Sequence, residues 1–417
     1  MIYIYHILTF LLLPIYLVLL IIRVLKGKEE IKSISQRFGS TNKNRPQGTL
    51  IWIHAASVGE SMVALTLIEG INSILPKVNI LVTSGTISSA SILKKKLPSN
   101  AFHQFLPLDN IIFVRKFLRS WQPILGIFIE SELWPCLVIE SSKVCKLLLF
   151  NARISDRSFK SWAKFKSFFQ LIMSHFSEII VQSSVDLEKF CQLGISKALN
   201  LGNIKFSNKK LEVDQSKFSE LLNHLTDKTI IVIASTHVED EQVFFKIIKP
   251  IKALYPACYF ILIPRHPERR NEINKMSQQL NLTVNFRSEL DLPVLSDDLY
   301  IVDKLGEVGL FYNLAYISFV GGSFKRGGHN VLEPAHFGNL IVFGPDMSNF
   351  RTIASEMIES NAAIQIRNED HLLETLKHLL TGNENVKVYQ TNALEFIKKN
   401  QQILPNYLAI ISQFIKK

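Results

Sequence analysis

Residues 50–60 read LIWIHAASVGE. Four apolar residues run from Leu50 to Ile53 without polar alternation, a turn of small residues follows, and a helical apolar period begins beyond Gly59. A strand buried on both faces of a parallel sheet reads this way, because covering helices leave neither face to water. Outward from it the same unit recurs at Ile80–Thr83, Ile124–Ile129, Leu147–Phe150 and Ile179–Val181. It returns at Ile230–Ala234, Tyr259–Ile263, Leu299–Val302, Ile317–Val320 and Leu340–Phe343. Two such series predict an α/β protein of two doubly wound, Rossmann-like domains facing across a cleft. The expected boundaries are a first domain over 23–210, a polar, Lys- and Asn-rich linker over 211–225, a second domain over 226–386 and a helical segment over 387–417.

Residues 1–22 stand apart. From Ile2 to Ile22 no side chain carries a formal charge. About 21 residues at 1.5 Å each reach ~31 Å, the thickness of a bilayer core. Arg23, Lys26, Lys28, Lys32 and Arg37 come after the run rather than before it. That order is the reverse of a cleaved secretion signal and places the rest of the chain on the cytoplasmic side. The expectation is an N-terminal membrane-anchor helix, either spanning or lying in the interface, on an inner-membrane protein.

The chain has 417 residues, about two domains' worth, and its 47% hydrophobic content excludes a disordered chain. An excess of 47 Lys and Arg over 36 Asp and Glu suits an anionic membrane, a phosphorylated substrate or nucleic acid. Cys136, Cys145, Cys191 and Cys258 show no C-x-x-C spacing, which excludes a disulfide scaffold and a cysteine zinc site.

Doubly wound sheets bind ligands outside the carboxyl ends of their strands. After the first strand, Glu60 opens a helix beyond Gly59, either as a glutamate complementing the helix dipole or as a general base. Ser57 is not a nucleophile elbow, since Ala55 stands where G-x-S-x-G needs glycine. ESELWP, residues 130–135, puts Glu130 and Glu132 on one face if the strand persists; the alternative is a solvated turn over Trp134. From NARISDRS onward, Phe159, Trp162, Phe165 and Phe169 fall at helical spacing with Lys160, Lys164 and Lys166 between them. This predicts an amphipathic helix that packs on its domain or meets an anionic lipid surface. No nucleic-acid-binding motif accompanies it.

In the second series, Thr236 and Glu239 fit a capping box, and Arg265 lies in the cation- and proline-dense PRHPERR. GGSFKRGGHNVLEPA, residues 321–335, places four glycines between a strand and a helix. Backbone N–H groups there can approach a phosphate, with Glu333 accepting from ribose hydroxyls; a purely structural loop is the alternative. The segment is neither a P-loop nor a G-x-G-x-x-G fingerprint.

Taken in order, HAASVGE, ESELWP, NARISDRS, GNIKF, ASTH, PRHPERR and GGSFKRGGHNVLEPA resemble the 3-deoxy-D-manno-octulosonic acid (Kdo) transferases of lipopolysaccharide synthesis. The resemblance implies a GT-B glycosyltransferase that moves Kdo from CMP-Kdo to the lipid A precursor, inverting the anomeric centre without cofactor or bound metal. The first domain would then bind the acceptor and the second the CMP-sugar. Carried over by position, Glu60 would be the base, and Glu130 and Lys205 would stabilise the transition state. Arg265, His266, Gly306, Glu307, Val308 and Asn330, Val331, Leu332, Glu333 would hold CMP. Ser131 stands where the family commonly has Thr, and Val302-Asp303-Lys304-Leu305 replaces a segment that commonly includes Asp-Thr-Met. Two rivals are a membrane-anchored GT-B enzyme using a UDP-sugar and another lipid, and a non-enzymatic protein binding anionic membrane surfaces. Competition by CMP against UDP separates the first, and dispensability of Glu60 would mark the second.

Overall fold

The computed structural model describes residues 2–207 and 209–415. The chain divides into two compact units, one of residues 1–207 and 402–417 and the other of residues 208–401.

In the first unit, β1 (Leu50–His54), β2 (Asn79–Ser84), β3 (Ala101–Phe105), β4 (Leu125–Ile129), β5 (Lys146–Ala152), β6 (Glu178–Val181) and β7 (Ala198–Asn200) form a seven-stranded sheet ordered β3-β2-β1-β4-β5-β6-β7. Every pairing is parallel. All five residues of β1 and of β4 are buried, as their unbroken apolar runs require. Trp52 anchors the layer beneath, edge-on to Phe117 at 5.2 Å and to Phe128 at 5.1 Å. The strand order reverses between β1 and β4, so the loops leaving those two strands part to opposite faces and open a crevice.

The second unit repeats the plan with β8 (Thr229–Thr236), β9 (Cys258–Pro264), β10 (Val284–Phe286), β11 (Leu299–Ile301), β12 (Ile317–Val320), β13 (Leu340–Phe343) and β14 (Ala363–Gln365). Their order is β10-β11-β9-β8-β12-β13-β14, again parallel, with the reversal between β8 and β12.

Residues 211–225 are not a linker. Asp214 caps a helix, Gln215–His224, by accepting from the N–H groups of Ser216 and Lys217. Leu221 and Leu225 from this segment pack in the second unit's core, with Phe218 beside them. Their three-to-four spacing was masked by the polar residues of the outer face. The segment 387–417 is also divided. The helix Asn383–Asn400 stays with the second unit, whereas Ile403–Ile415 returns to the first and buries Tyr407 edge-on against Phe150 at 4.8 Å.

The N-terminal run is two helices, Ile2–Leu11 and Leu13–Leu25, bent by 53°. Pro14 explains the break: it has no N–H to offer the preceding turn, and its ring crowds the carbonyl there. Among the described residues no single helix is long and apolar enough to cross a membrane; only the bent pair has that length and composition. The Tyr5 hydroxyl donates to Asp109 Oδ2 (2.7 Å). Asp109 in turn accepts from the N–H groups of Cys136 and Leu137, capping the helix that follows ESELWP. The outward side of the pair leaves Ile4, Ile7, Leu11, Ile15, Val18 and Ile21 exposed.

Candidate active site

At the first unit's reversal, β1 runs into Ala55, Ala56 and Ser57, and Ser57 caps the helix Val58–Ile74. Glu60 occupies the third helical position and folds back. Its Oε1 accepts from the Ser57 hydroxyl (2.9 Å), its Oε2 from the Ala56 N–H (2.7 Å), and its own N–H donates to Ser57 Oγ (3.3 Å). This is a capping-box arrangement, so Glu60 has a structural role. Burial is the largest influence on the carboxyl and pushes its pKa up to about 7; the charges of Glu132 and Glu130 act in the same direction, opposed by the Ser57 and Ala56 hydrogen bonds. One side chain thus starts the helix and titrates near neutrality, where a general base works best.

β4 ends at Ile129, and Glu130 is held by its N–H donating to Phe150 O while adopting a φ of +61°. A side chain other than glycine in that region carries strain that the surroundings must sustain. The strand does not persist to Glu132. Instead the chain turns, and the Trp134 indole N–H donates to Glu132 Oε2 (2.7 Å), while burial and the Glu130 charge raise the Glu132 pKa. Lys205 Nζ lies 2.6 Å from Glu130 Oε1, and Arg153 Nη1 lies 3.8 Å from Oε2.

Lys205 reaches this place through a chain of polar contacts. Asn203 Oδ1 accepts from the Lys205 N–H, and Asn151 Oδ1 accepts from the Ile204 N–H. The Tyr407 hydroxyl donates to Gly202 O (3.0 Å). Gly202 has a φ of +88° and lies against Ile403, so a side chain there would both strain the backbone and clash. A Cβ placed on Gly59 would stand 3.9 Å from Lys205 Nζ, which sets the ammonium beside the start of the Glu60 helix. The structure therefore brings Glu60, Glu130 and Lys205 together. Sequence reasoning missed Arg153 and Tyr407; the NARISDRS motif contained the first, and nothing local marked the second. His54 does no chemistry here: it is fully buried on Thr83 Oγ1, and burial drives its pKa down to about 4. The aromatic stripe after NARISDRS splits into the helices Asp156–Lys164 and Lys166–Ser174, with Phe159 and Trp162 on the core and Phe165 exposed.

In the second unit the strand ends of β8, β9 and β12 converge. Thr236 and Glu239 do not form the expected capping box. The cap lies one residue later, where the His237 N–H donates to Asp240 Oδ2 (2.9 Å). The Thr236 hydroxyl donates to the fully buried Glu241, which is also gripped by both terminal nitrogens of Arg269. Arg269 of PRHPERR is therefore a structural cation. Arg265 is exposed, its N–H fixed by Thr236 O. Burial raises the pKa of Glu333, opposed by the Asn330 hydrogen bond and the Arg265 charge. His266 is exposed beside Glu268. His237 stacks on His329 at 5.3 Å and lies edge-on to His266 at 5.7 Å, a trio that sequence reasoning did not assemble. Burial first, then Arg265 and the neighbouring imidazoles, pushes His329 down to about 4. Asn330 Oδ1 accepts from the Leu332 N–H, and its amide donates to Glu333 Oε1 (3.4 Å). The Val331 and Leu332 side chains are buried in the unit.

Several groups expected to meet the nucleotide already have partners within this unit. The glycine amides are not an open phosphate cradle: Gly321 N–H donates to Ala234 O, Gly322 to Asp240, Gly327 to Asp346 and Gly328 to Gly322 O. The helix beyond them, Leu332–Ala335, is a single turn and has little dipole to offer. The Glu307 carboxylate is likewise engaged, with Arg287 Nε and Lys217 Nζ each at 2.8 Å. Gly306 has a φ of +87°, and no atom lies within 4 Å of where a Cβ would stand, so its backbone is open. Val308 begins the helix Val308–Leu314 and packs on the core. Among the described residues, no group of three or more His, Cys, Asp or Glu is arranged to hold a metal ion.

Residues 32–208 match the family described as 3-deoxy-D-manno-octulosonic-acid transferase (kdotransferase). A 3-deoxy-D-manno-octulosonic acid transferase of Rickettsia bellii is 56% identical over 98% of this chain and 99% of its own length. Its counterpart in Rickettsia felis is 52% identical over the whole of both chains. In fold, the chain is similar to a glycosyltransferase from Rickettsia africae, with a TM-score of 0.51 at 13% identity, covering 89% of this chain and all of that one.

Proposed function

Because the chain belongs to the 3-deoxy-D-manno-octulosonic acid transferase family, we propose that it moves Kdo from CMP-Kdo to the acylated, phosphorylated glucosamine disaccharide that precedes lipid A. The observation that carries the reading is Glu60: a carboxyl titrating at about 7, at the strand reversal, beside Glu130 and Lys205. Glu60 takes the proton of the acceptor hydroxyl as its oxygen bonds to the anomeric carbon of Kdo. The bond from that carbon to the phosphate oxygen breaks on the opposite face, and CMP leaves with the electron pair. Attack opposite the leaving group inverts the centre. Positive charge developing on the sugar ring is stabilised by Glu130, while Lys205 holds Glu130 in place and offers a cation to the Kdo carboxylate.

The donor is assigned to the second unit. Arg265 is the exposed cation for the CMP phosphate, with His266 beside it, and Asn330 and Glu333 offer polar atoms to the ribose. The open backbone at Gly306 is a further contact for the nucleotide. Residues 2–25 attach the chain to the inner membrane with its body on the cytoplasmic side, supported by their exposed apolar side chains and by Arg23, Lys26, Lys28 and Lys32 at and beyond their end.

The test is transfer itself. Purified full-length protein with CMP-Kdo and the tetra-acylated bisphosphorylated disaccharide should yield products heavier by Kdo in a mass spectrum. CMP should inhibit and UDP should not. Transfer from a UDP-sugar instead would reverse the assignment of the donor.

A further inference from the structure

A cavity of about 300 Å³ opens in the first unit next to the carboxylate group. Tyr16 and Leu20 of the helix Leu13–Leu25 form part of its wall, and Leu106 and Leu108 from the loop after β3 form another. The remaining wall includes Ala56, Glu132 and Trp134, which belong to the same two strand-end loops that carry Glu60 and Glu130. Ala56 is the residue whose N–H donates to the Glu60 carboxylate, and Trp134 the one whose indole fixes Glu132. An apolar chamber therefore touches the proposed base through a shared backbone segment.

Its charged residues are organised as well. Arg37 is buried and cannot greet a ligand: its guanidinium donates to Glu29, Leu106 O and Gly85 O. Those bonds tie the segment after the N-terminal helices to the β2 and β3 loops. Arg23 also lines the chamber, shares Glu29 at 3.0 Å and remains 44% exposed, so it can meet an anion. The occupant that fits is a molecule with an apolar tail, a negative charge near the tail and a hydroxyl that must reach Glu60. Neither CMP nor Kdo has a tail.

We propose that this cavity receives one acyl chain of the lipid acceptor, so that the enzyme selects its acceptor by the chain as well as by the sugar. The inference rests on the transferase reading above. Burying hydrocarbon in such a chamber changes affinity by about fourfold per methylene, so a few methylenes account for a tenfold preference.

Two acceptors with the same phosphorylated disaccharide, one with long and one with short acyl chains, test it with the full chain in detergent. Wild-type protein should show a KM at least about tenfold lower for the long-chain acceptor. Leu20→Trp, which fills the chamber, should raise that KM about tenfold. It should leave the short-chain KM, kcat and CMP affinity unchanged, and Leu108→Trp should repeat the pattern from the opposite wall if Leu20→Trp fails to fold. Equal changes for both acceptors, or no change in either folded variant, overturn the proposal. Altered partition into lipid vesicles with an unchanged acceptor KM would also overturn it, by assigning the chamber to a bilayer lipid. Wild-type protein that transfers Kdo to neither acceptor overturns the transferase reading itself, whereas transfer without chain-length preference overturns only this inference.

Discussion

Lys205 Nζ lies 2.6 Å from Glu130 Oε1, joining residues far apart in sequence where Glu130 holds a φ of +61°. Removing the ammonium leaves a buried carboxylate in a strained position with only Arg153, 3.8 Å away, for company. Lys205→Ala should lower kcat by about 100-fold, on the scale of losing one preorganised electrostatic partner, while CMP binding holds. Lys205→Arg should recover part of the loss. Steady-state kinetics with a CMP-binding control checks this.

The Glu60 pKa of about 7 makes two pH statements. Activity first: kcat/KM should rise with pH through a midpoint near 7 and then level, since only the ionised carboxyl accepts a proton. Stability runs the other way. The folded state binds the Glu60 proton more tightly than the unfolded state, whose carboxyl has the ordinary value of 4.5. That contribution is fully present below about 4.5 and is lost as pH rises through about 7. Thermal melts of Glu60→Gln should therefore show a flatter pH dependence than wild type across that window.

Arg265→Ala should weaken CMP binding by about 1.5–3 kcal/mol, the scale of a hydrogen bond to a charged group, and leave acceptor binding alone. Glu333→Ala should weaken it in the same direction. Since residues 208–401 form one compact unit that includes the helix Gln215–His224, that fragment should bind CMP without transferring Kdo. Titration calorimetry on the fragment and the full chain compares the two directly.

Deleting residues 2–22 should release the protein from membranes and leave CMP binding intact. It should also raise the acceptor KM, because Tyr16 and Leu20 leave with the deleted segment. Carbonate extraction of the full-length protein distinguishes a spanning segment, which stays with the pellet, from an interfacial pair bent at Pro14.

The strands legible in the sequence were those buried on both faces, such as LIWIH, where apolar side chains run unbroken. β3, β7, β10 and β14 were not, because these short strands lie at the sheet edges, where residues such as Ala101, Phe102 and His103 are only half-buried and the continuous apolar run is lost. The helix Gln215–His224 was lost for a related reason: its buried stripe is thin beneath a polar surface. At the candidate site, the strand-end rule located Glu60 and Glu130, since it depends only on chain order and sheet topology. The internal partners of the glycine loop and of Glu307 were not legible, because Asp240, Asp346, Arg287 and Lys217 are distant in sequence. Tyr407 was invisible for the same reason, reaching Gly202 across 205 residues.

The proposed chemistry turns on Glu60 as the base, and its conservative variant tests that most directly. Glu60→Gln keeps the side chain's length and an acceptor oxygen for the helix cap, so its fold and its CMP affinity should match wild type. With CMP-Kdo and acceptor saturating, turnover read by mass spectrometry should fall by about 100-fold or more. Wild-type turnover in the folded variant would leave Glu60 a helix cap and nothing else, and would contradict the mechanism proposed for this chain.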